Sequence, residues 1–327
     1  MSTKNGTKRT NRDQRPITFA DAFAGIGGFH RALAQAGATV AWACERDAAA
    51  AGTYRRNFGI DPTDDVTTVR AEAVPRHGIL CAGFPCQSFS LDGKRKGMAD
   101  PRGRLFWQIV RILAAKRPSA FILENVPHLL RIDGGETFAL MCRRLTACGY
   151  TVRHALLDAL RFGLPQRRER LFVVGTLGTV PFEFPKPGRP ATHLRRLLQR
   201  GVPEKYYYSD EQRCRMAGRR DIERAKRGNR CCNFVKATHA NTLMSDPKGV
   251  EKNIVVETDG RWRRLTPREY ARLQGFPDTF KLHPTDSKAY RQFGNSVAVP
   301  VVRAVAENLI EALRSYGGGR GSLASQI

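Results

Sequence analysis

The feature that most constrains the fold is an alternation of short apolar strands and amphipathic helices along the first half of the chain. Strand patterns lie at 16–23, 37–45, 77–84, 119–126, 151–159 and 168–177. Helical patterns separate most of them, at 28–36, 106–118 and 137–150. Such alternation predicts an α/β fold with a doubly wound, mainly parallel sheet that helices cover on both faces.

The pattern changes after residue 182, where a segment rich in proline and glycine leads into basic, irregular sequence that reaches about Trp262. Helical patterns return at 266–276 and between Tyr290 and Leu313. We therefore expect a first domain formed by 16–182 plus 286–316, and a small, irregular, mostly β domain with its hinge at 183–285. The basic segment 1–15 and the segment 317–327 have the composition of disordered tails.

Charge indicates the kind of partner. The chain has 55 Lys and Arg residues against 30 Asp and Glu residues, a net charge of +25. Such an excess favours a polyanion, of which nucleic acid is the commonest, although an arginine-rich composition alone can also produce it. Clustering favours the first explanation, because 189–230 contains thirteen basic and five acidic residues.

Cysteine spacing argues against a disulfide framework and against a structural metal. The eight cysteines include no pair at metal-binding spacing and no Cys/His cluster, which is typical of a reducing compartment. No apolar stretch is long enough to cross a bilayer. We expect a soluble cytoplasmic protein with no metal site.

A glycine cluster follows the first strand in the sequence FADAFAGIGGFH, residues 19–30. Glycines between a strand and a helix allow close approach of a ligand to the backbone. A dinucleotide fingerprint would place glycines at 25, 27 and 30, but His30 occupies the last position. Because Glu45 ends the next strand, where a carboxylate can bind ribose hydroxyls, the pattern indicates a nucleoside without requiring a phosphate.

Two reactive side chains follow neighbouring strands. Cys86 lies in GFPCQSFS, where Pro85 ends a strand and a polar, basic loop begins, so we interpret it as a nucleophile and Cys81 as a core residue. Glu124 ends the apolar strand SAFILENV, where burial would raise its pKa and let it donate a proton. A structural glutamate paired with an arginine remains the alternative.

Cations come from GLPQRRERLFVVG, in which strand alternation places Arg168 and Arg170 on one face. They form either a solvated basic edge or a contact to a ligand carbonyl oxygen.

Together, these motifs resemble the DNA (cytosine-5)-methyltransferase family of bacterial restriction-modification systems. The resemblance covers nearly the whole chain in the family's order, from DAFAGIGGF, GFPCQSFS, ENV and QRRER to RLTPREYARLQGFP and QFGNSVAVPVV. It implies the Rossmann-like fold of S-adenosylmethionine-dependent methyltransferases, with a target-recognition domain at 183–285. The implied reaction is transfer of a methyl group to C5 of a flipped-out cytosine in duplex DNA.

The resemblance also implies roles for individual residues. Cys86, with Gln87 beside it, corresponds to the nucleophile that attacks C6 of cytosine. Glu124 corresponds to the glutamate that binds N3, and Arg170, with Arg168 beside it, to the arginine that contacts O2.

The implied cofactor is S-adenosylmethionine. Its predicted site comprises Phe23, Gly25, Gly27, Glu45, Asp65, Pro85, Leu105, Asn295 and Val297. The family often places an apolar or aromatic residue after the ribose-binding acid, whereas this chain has Arg46, whose guanidinium can also stack on a base.

The implied partner is double-stranded DNA, with a cognate restriction endonuclease acting on the same site. Predicted DNA contacts are Ser90, Lys94, Arg102, Arg230 and Thr242. We expect a monomer, associated with the nucleoid of a prokaryote or encoded by a phage. Two alternatives stay open: a transfer RNA cytosine-5 methyltransferase, which is less favoured because its Cys-Phe-Thr signature is absent, and an inactive DNA-binding relative.

Overall fold

The computed structural model describes residues 16–62, 65–84, 104–188, 193–217, 232–233, 238–245 and 253–317. Its main sheet has six strands in the order β2-β1-β3-β4-β6-β5. The strands are β1 (Thr18–Asp21), β2 (Thr39–Ala43), β3 (Ile79–Gly83), β4 (Ala120–Asn125), β5 (Tyr150–Asp158) and β6 (Glu169–Leu177).

The strands β2, β1, β3 and β4 run parallel to one another, and β6 runs antiparallel to the two strands beside it, β4 and β5. β1 pairs in parallel with β2 and with β3, and β3 pairs in parallel with β4. β6 is antiparallel to both β4 and β5. The predicted α/β fold with a mainly parallel sheet is confirmed, and its antiparallel edge places the beginning of β6 beside the end of β4.

Side chains that alternate along the strands divide the core between the two faces of the sheet. Phe19, Ile79 and Ile122 belong to a cluster that also contains apolar residues of the first and last helices. Leu80 and Phe121, their neighbours in sequence, belong to a second cluster on the other face. Burial on both faces explains why these strands are almost continuously apolar, as is typical of parallel sheets.

The helices follow the predicted order with two additions. They are α1 (Gly28–Gln35), α2 (Ala48–Phe58), α3 (Arg104–Lys116), α4 (Glu136–Ala147), α5 (Asp210–Ala217), α6 (Pro267–Leu273), α7 (Asp286–Asn295) and α8 (Val299–Gly317). The additions are α2 and α5, the second of which lies in the segment expected to be irregular. The sequence pattern assigned no element to 46–76, yet the side chain of Asp47 caps α2 by accepting from two backbone N–H groups. The final helical pattern forms two helices, because the chain is extended at Ser296.

A second, three-stranded sheet lies between β6 and α6 in sequence. It consists of β7 (Cys232–Asn233), β8 (Asn253–Val256) and β9 (Trp262–Arg264). The fully buried guanidinium of Arg263 donates to both carboxylate oxygens of Glu269, at 2.9 and 3.0 Å. Glu269 also closes a capping box with Thr266 at the start of α6, so this ion pair ties the second sheet to the helix.

None of the helices in the described parts of the chain is long and apolar enough to cross a membrane. The described residues contain no group of three or more His, Cys, Asp or Glu side chains that could hold a metal ion. Cys81 is fully buried in the sheet, as its apolar surroundings predict.

Candidate active site

The candidate site lies at the carboxyl ends of the parallel strands. After β1 the chain passes to β2 on one side, whereas β3 lies on the other side of β1. The crevice at such a switch of strand order is the usual binding place in open α/β sheets. Here Asp21, Gly83 and Glu124 stand at or near the ends of three neighbouring strands, beside a cavity of about 620 Å³.

Most of the residues predicted to bind a cofactor line this one cavity. Seven of them do so: Phe23, Gly25, Glu45, Asp65, Leu105, Asn295 and Val297. Gly27 does not line it, and Pro85 lies outside the described residues. A more open hollow of about 820 Å³, between α1 and 196–200, contains none of the predicted catalytic or cofactor residues.

Two glycines of the glycine turn have a backbone conformation in the left-handed region, and glycine is needed at each position for a different reason. Gly25 (φ 54°) has open space where a Cβ would project, and its N–H donates to Glu45 at 2.8 Å. Gly27 (φ 87°) precedes α1, and a Cβ there would lie 2.2 Å from the ring of Phe58. Gly25 therefore leaves room in the cavity, whereas Gly27 permits packing behind the turn.

His30 supports the same turn from the core. Its Nδ1 lies 2.6 Å from the hydroxyl of Tyr54, and its ring stacks on Phe58 with a centroid distance of 4.0 Å. Burial lowers the pKa of His30 to about 4, so the ring is neutral at physiological pH. The residue that argued against a dinucleotide fingerprint is thus a packing residue.

Two carboxylates occupy the nucleoside end of the cavity. Glu45 accepts the backbone N–H groups of Gly25 and Asp47, while burial raises its pKa. Asp65 accepts the N–H of Thr67, which lowers its pKa. Arg46 is largely exposed, with its guanidinium 3.7 Å from Asp65, so it borders the cavity without closing it.

Asp21 is a candidate that sequence reasoning missed. It is fully buried at the end of β1, and neither of its carboxylate oxygens makes a well-formed hydrogen bond to a described residue. Burial, together with the nearby charge of Glu45, raises the pKa of Asp21 to about 8, and the neighbouring Phe23 N–H opposes this only in part. The signal was present, because an acidic residue ends an apolar strand here just as Glu124 does.

Glu124 and Arg170, which were predicted to be catalytic, line the same cavity. Arg170 Nε lies 3.2 Å from Glu124 Oε1, and both side chains are largely buried. Burial raises the pKa of Glu124, and the two arginines Arg170 and Arg168 oppose that rise. The pairing follows from topology, since β6 begins beside the end of β4.

Arg168 has different surroundings from Arg170. Its guanidinium is buried and donates to the carbonyl oxygens of Ser296 at 2.8 Å, Gly294 at 3.1 Å and Leu243 at 3.4 Å. Its Nε has no hydrogen-bond partner among the described residues. Both arginines line the cavity, as the alternation predicts, but the Arg168 head group is bound mainly to backbone.

Of the remaining residues predicted to act in catalysis or to contact DNA, Thr242 lies within the described residues and the others do not. Thr242 is half-buried, and its hydroxyl donates to the Arg167 carbonyl at 2.8 Å, so it lies one residue from Arg168. Those outside the described residues are Cys86, Gln87, Ser90, Lys94, Arg102 and Arg230.

The described geometry combines a buried carboxyl group whose pKa is raised, a nearby guanidinium, and a cavity of about 620 Å³ that Glu45 and Asp65 also line. A carboxyl group whose pKa is raised can donate a proton to a ring nitrogen, and a guanidinium can bind a carbonyl oxygen. The arrangement therefore suits a reaction on a heterocyclic base beside a nucleoside cofactor.

Comparison with known proteins identifies similar chains. A family model described as "C-5 cytosine-specific DNA methylase" matches residues 17–311. The Type II methyltransferase M.HaeII of Haemophilus aegyptius is 40% identical over 305 residues, which cover 90% of this chain and 92% of that protein. M.HhaI of Haemophilus parahaemolyticus is 35% identical over 312 residues, with coverage of 91% and 95%. The Entamoeba histolytica methyltransferase EhMeth shares the fold, with a TM-score of 0.75 at 19% identity, covering 92% of this chain and 99% of that one.

Proposed function

This chain belongs to the C-5 cytosine-specific DNA methylase family, and on that premise we propose that it transfers a methyl group from S-adenosylmethionine to C5 of a cytosine in duplex DNA. The observation that carries the proposal is the Glu124–Arg170 pair, which lies in the same cavity as the glycine turn and Glu45. One cavity thus contains groups for a base and groups for a nucleoside.

The residues present fit S-adenosylmethionine. Gly25 leaves open the space that a Cβ would fill, and Glu45 can accept ribose hydroxyls on its remaining lone pairs. Glu45 and Asp65 place two carboxyl groups in the cavity lining, which suits a cationic ligand better than a pyrophosphate. When bound, the cofactor supplies an electrophilic methyl group.

Cys86 is the proposed nucleophile. It follows Gly83 by three residues, a stretch that spans at most about 10 Å, and Gly83 is the partner of Glu124 in the sheet register. Its thiolate adds to C6 of the cytosine, and the electron pair of the C5–C6 bond makes C5 nucleophilic. After C5 has been methylated, loss of the C5 proton returns an electron pair to the ring and expels the sulfur.

Glu124 and Arg170 stabilise the charge that develops on the ring. Protonated Glu124 donates to N3, and Arg170 donates to O2. Since the Arg170 guanidinium attracts both the base oxygen and the Glu124 carboxylate, we propose that the 3.2 Å ion pair between Glu124 and Arg170 holds both side chains in place before the base arrives.

The proposed partner is duplex DNA, because its phosphates match the net charge of +25 and the basic segment 189–230. We propose that Ser90, Lys94, Arg102, Arg230 and Thr242 contact it. We further propose that the chain acts as a monomer in a prokaryotic cytoplasm, with a cognate endonuclease of the same sequence specificity. The relatives reported above are Type II methyltransferases, and no observation favours the transfer RNA or inactive-binder alternatives.

The test is bisulfite sequencing of DNA from cells that lack cytosine-5 methylation and express the chain. We expect conversion-resistant cytosines in one sequence context, and none with a Cys86→Ser variant produced at the same level. Pure enzyme with cofactor should also form a denaturation-resistant adduct with 5-fluorocytosine DNA. Unmodified DNA from the wild-type chain, or an adduct with Cys86→Ser, would contradict the proposal.

A further inference from the structure

Met244 is a large apolar residue whose side chain is exposed to solvent. Among the described residues, the two large hydrophobic side chains that are exposed are Met244, with 48% of its surface accessible, and Leu156, with 43%. Leu156 lies on β5 at the edge of the sheet and does not line the cavity. Met244 lies between Leu243, which is buried, and Ser245, which lines the cavity.

The backbone on both sides of Met244 is fixed to the catalytic domain. The Leu243 N–H donates to the buried Gln166 side chain at 3.2 Å, and the Leu243 carbonyl accepts from Arg168. Thr242 donates its hydroxyl to the Arg167 carbonyl at 2.8 Å. Residues 242–243 are therefore bound to 166–168, immediately before the strand that carries Arg170.

Gly294 fixes the same segment from the other side. A Cβ at Gly294 would lie 2.4 Å from the Met244 carbonyl oxygen and 2.5 Å from the Ser245 nitrogen. Only a residue without a side chain permits this contact between the end of α7 and the Met244 backbone. The exposed side chain thus belongs to a segment whose backbone is hydrogen-bonded on one side, through residues 242–243, and closely packed against Gly294 on the other.

Because the contacts described above already order the neighbouring backbone, Met244 has little backbone entropy to lose on binding, and the cost that remains is that of ordering its side chain. The adjoining cavity is lined by basic and acidic side chains, several of which form the ion pairs Arg170–Glu124 and Arg291–Asp47. The net charge of +25 over the whole chain attracts the phosphates of a duplex, whereas the uncharged side chain of Met244 suits the faces of stacked bases. Methionine is among the apolar residues that DNA-binding proteins insert between base steps.

Resting on the proposed function, we propose that Met244 packs against the base stack next to the target cytosine and favours the extruded state of that base. Extrusion removes stacking contacts and leaves apolar base surface exposed, and an apolar side chain at that position covers it. The contacts of residues 242 and 243 place Met244 directly before Ser245, which lines the cavity that the extruded base would enter. The role is one of positioning, because Met244 does not act on the reacting atoms.

The test compares Met244→Ala with Met244→Leu and with the matched control Leu156→Ala, which removes the other exposed apolar side chain. Methyl transfer is measured on a duplex with a normally paired target and on one whose target cytosine is mispaired, since a mispaired base costs least to extrude. We expect Met244→Ala to lower kcat/KM about tenfold on the paired duplex and less than about threefold on the mispaired one. Met244→Leu should stay near wild type, because it keeps the apolar volume.

A direct measure of extrusion is the fluorescence of 2-aminopurine at the target position, which rises when the base leaves the stack. We expect Met244→Ala to reduce that rise and Leu156→Ala to leave it unchanged, with equal Tm for all variants because both side chains are exposed. A Met244→Ala enzyme that matches Leu156→Ala, or that loses equal activity on both duplexes, would overturn the inference. Wild-type methylation in the same assay tests the proposed function separately.

Discussion

Replacing Asp21 by asparagine should change how the stability of the protein depends on pH. Asp21 is fully buried, its oxygens make no well-formed hydrogen bond to a described residue, and burial raises its pKa to about 8. The unfolded chain exposes the same carboxyl group with its ordinary pKa of 3.8. Between these two values the folded chain therefore holds one more proton than the unfolded chain.

The sign and the size of the effect follow from this difference. Stability falls as pH rises wherever the folded state binds more protons, at about 1.4 kcal/mol per pH unit for one group. The contribution of Asp21 is fully present below pH 3.8 and is lost as pH rises towards 8. Over that interval the loss reaches about 5 kcal/mol, whereas asparagine does not titrate and loses nothing.

The measurement is urea unfolding of the wild type and Asp21→Asn, without cofactor, at several pH values from 4 to 8. As pH rises, we expect the free energy of unfolding of the wild type to fall steadily relative to that of Asp21→Asn, because only the wild type contains the titrating carboxyl group. Asp259→Asn is the control, because Asp259 is exposed and hydrogen bonds from Arg261 lower its pKa, so its titration lies at the acidic edge of this pH range or below it. Parallel curves for wild type and Asp21→Asn would refute the reasoning.

Two further predictions concern the two ends of the cavity. Glu124→Gln should lower turnover by about 10²–10⁴-fold, because glutamine cannot donate the proton. It should also abolish the loss of activity at high pH that a proton donor with a raised pKa produces. DNA affinity should change little, because glutamine keeps the shape of glutamate and its amide oxygen can face Arg170. Single-turnover methyl transfer and filter binding measure the two quantities, and equal losses would indicate a structural role instead. Gly27→Ala and Gly25→Ala should each lower the free energy of unfolding by about 1–2 kcal/mol, because alanine is strained in the left-handed region. Gly27→Ala should lower it by about 1–3 kcal/mol more, because the added methyl group meets the ring of Phe58. Gly25→Ala should weaken cofactor binding more than Gly27→Ala does, because Gly25 lines the cavity. Urea unfolding and calorimetry check this pair, and equal unfolding costs would contradict the packing explanation for Gly27.

Sequence periodicity predicted those parts of the fold that depend on local pattern. The strands β1 to β6 and the helices α1, α3 and α4 lie where apolar runs and amphipathic patterns placed them. Seven predicted cofactor residues line one cavity because strand ends in a parallel sheet meet at the same edge. That rule needs only the strand assignments and the order of the chain.

Other features depend on tertiary contacts that a single sequence does not state. The helix α2, which is rich in alanine, has no strong apolar stripe, and its start is set by the Asp47 cap. The antiparallel direction of β6 was not predicted, although it brings Arg170 to Glu124. Arg168 looked equivalent to Arg170, yet carbonyl oxygens of residues 243, 294 and 296 surround its head group.

Asp21 and Glu124 show why residue type and position alone do not decide chemistry. Both end or nearly end an apolar strand of the same sheet, and burial raises the pKa of both. Glu124 has Arg170 at 3.2 Å, so the attraction of the guanidinium opposes the effect of burial on the pKa of Glu124. Asp21 has no ion-pair partner among the described residues, and both strands beside β1 run parallel to it. The reversed strand β6 therefore brings a cation to one of these two buried carboxyl groups and not to the other, which is why we propose Glu124, and not Asp21, as the proton donor.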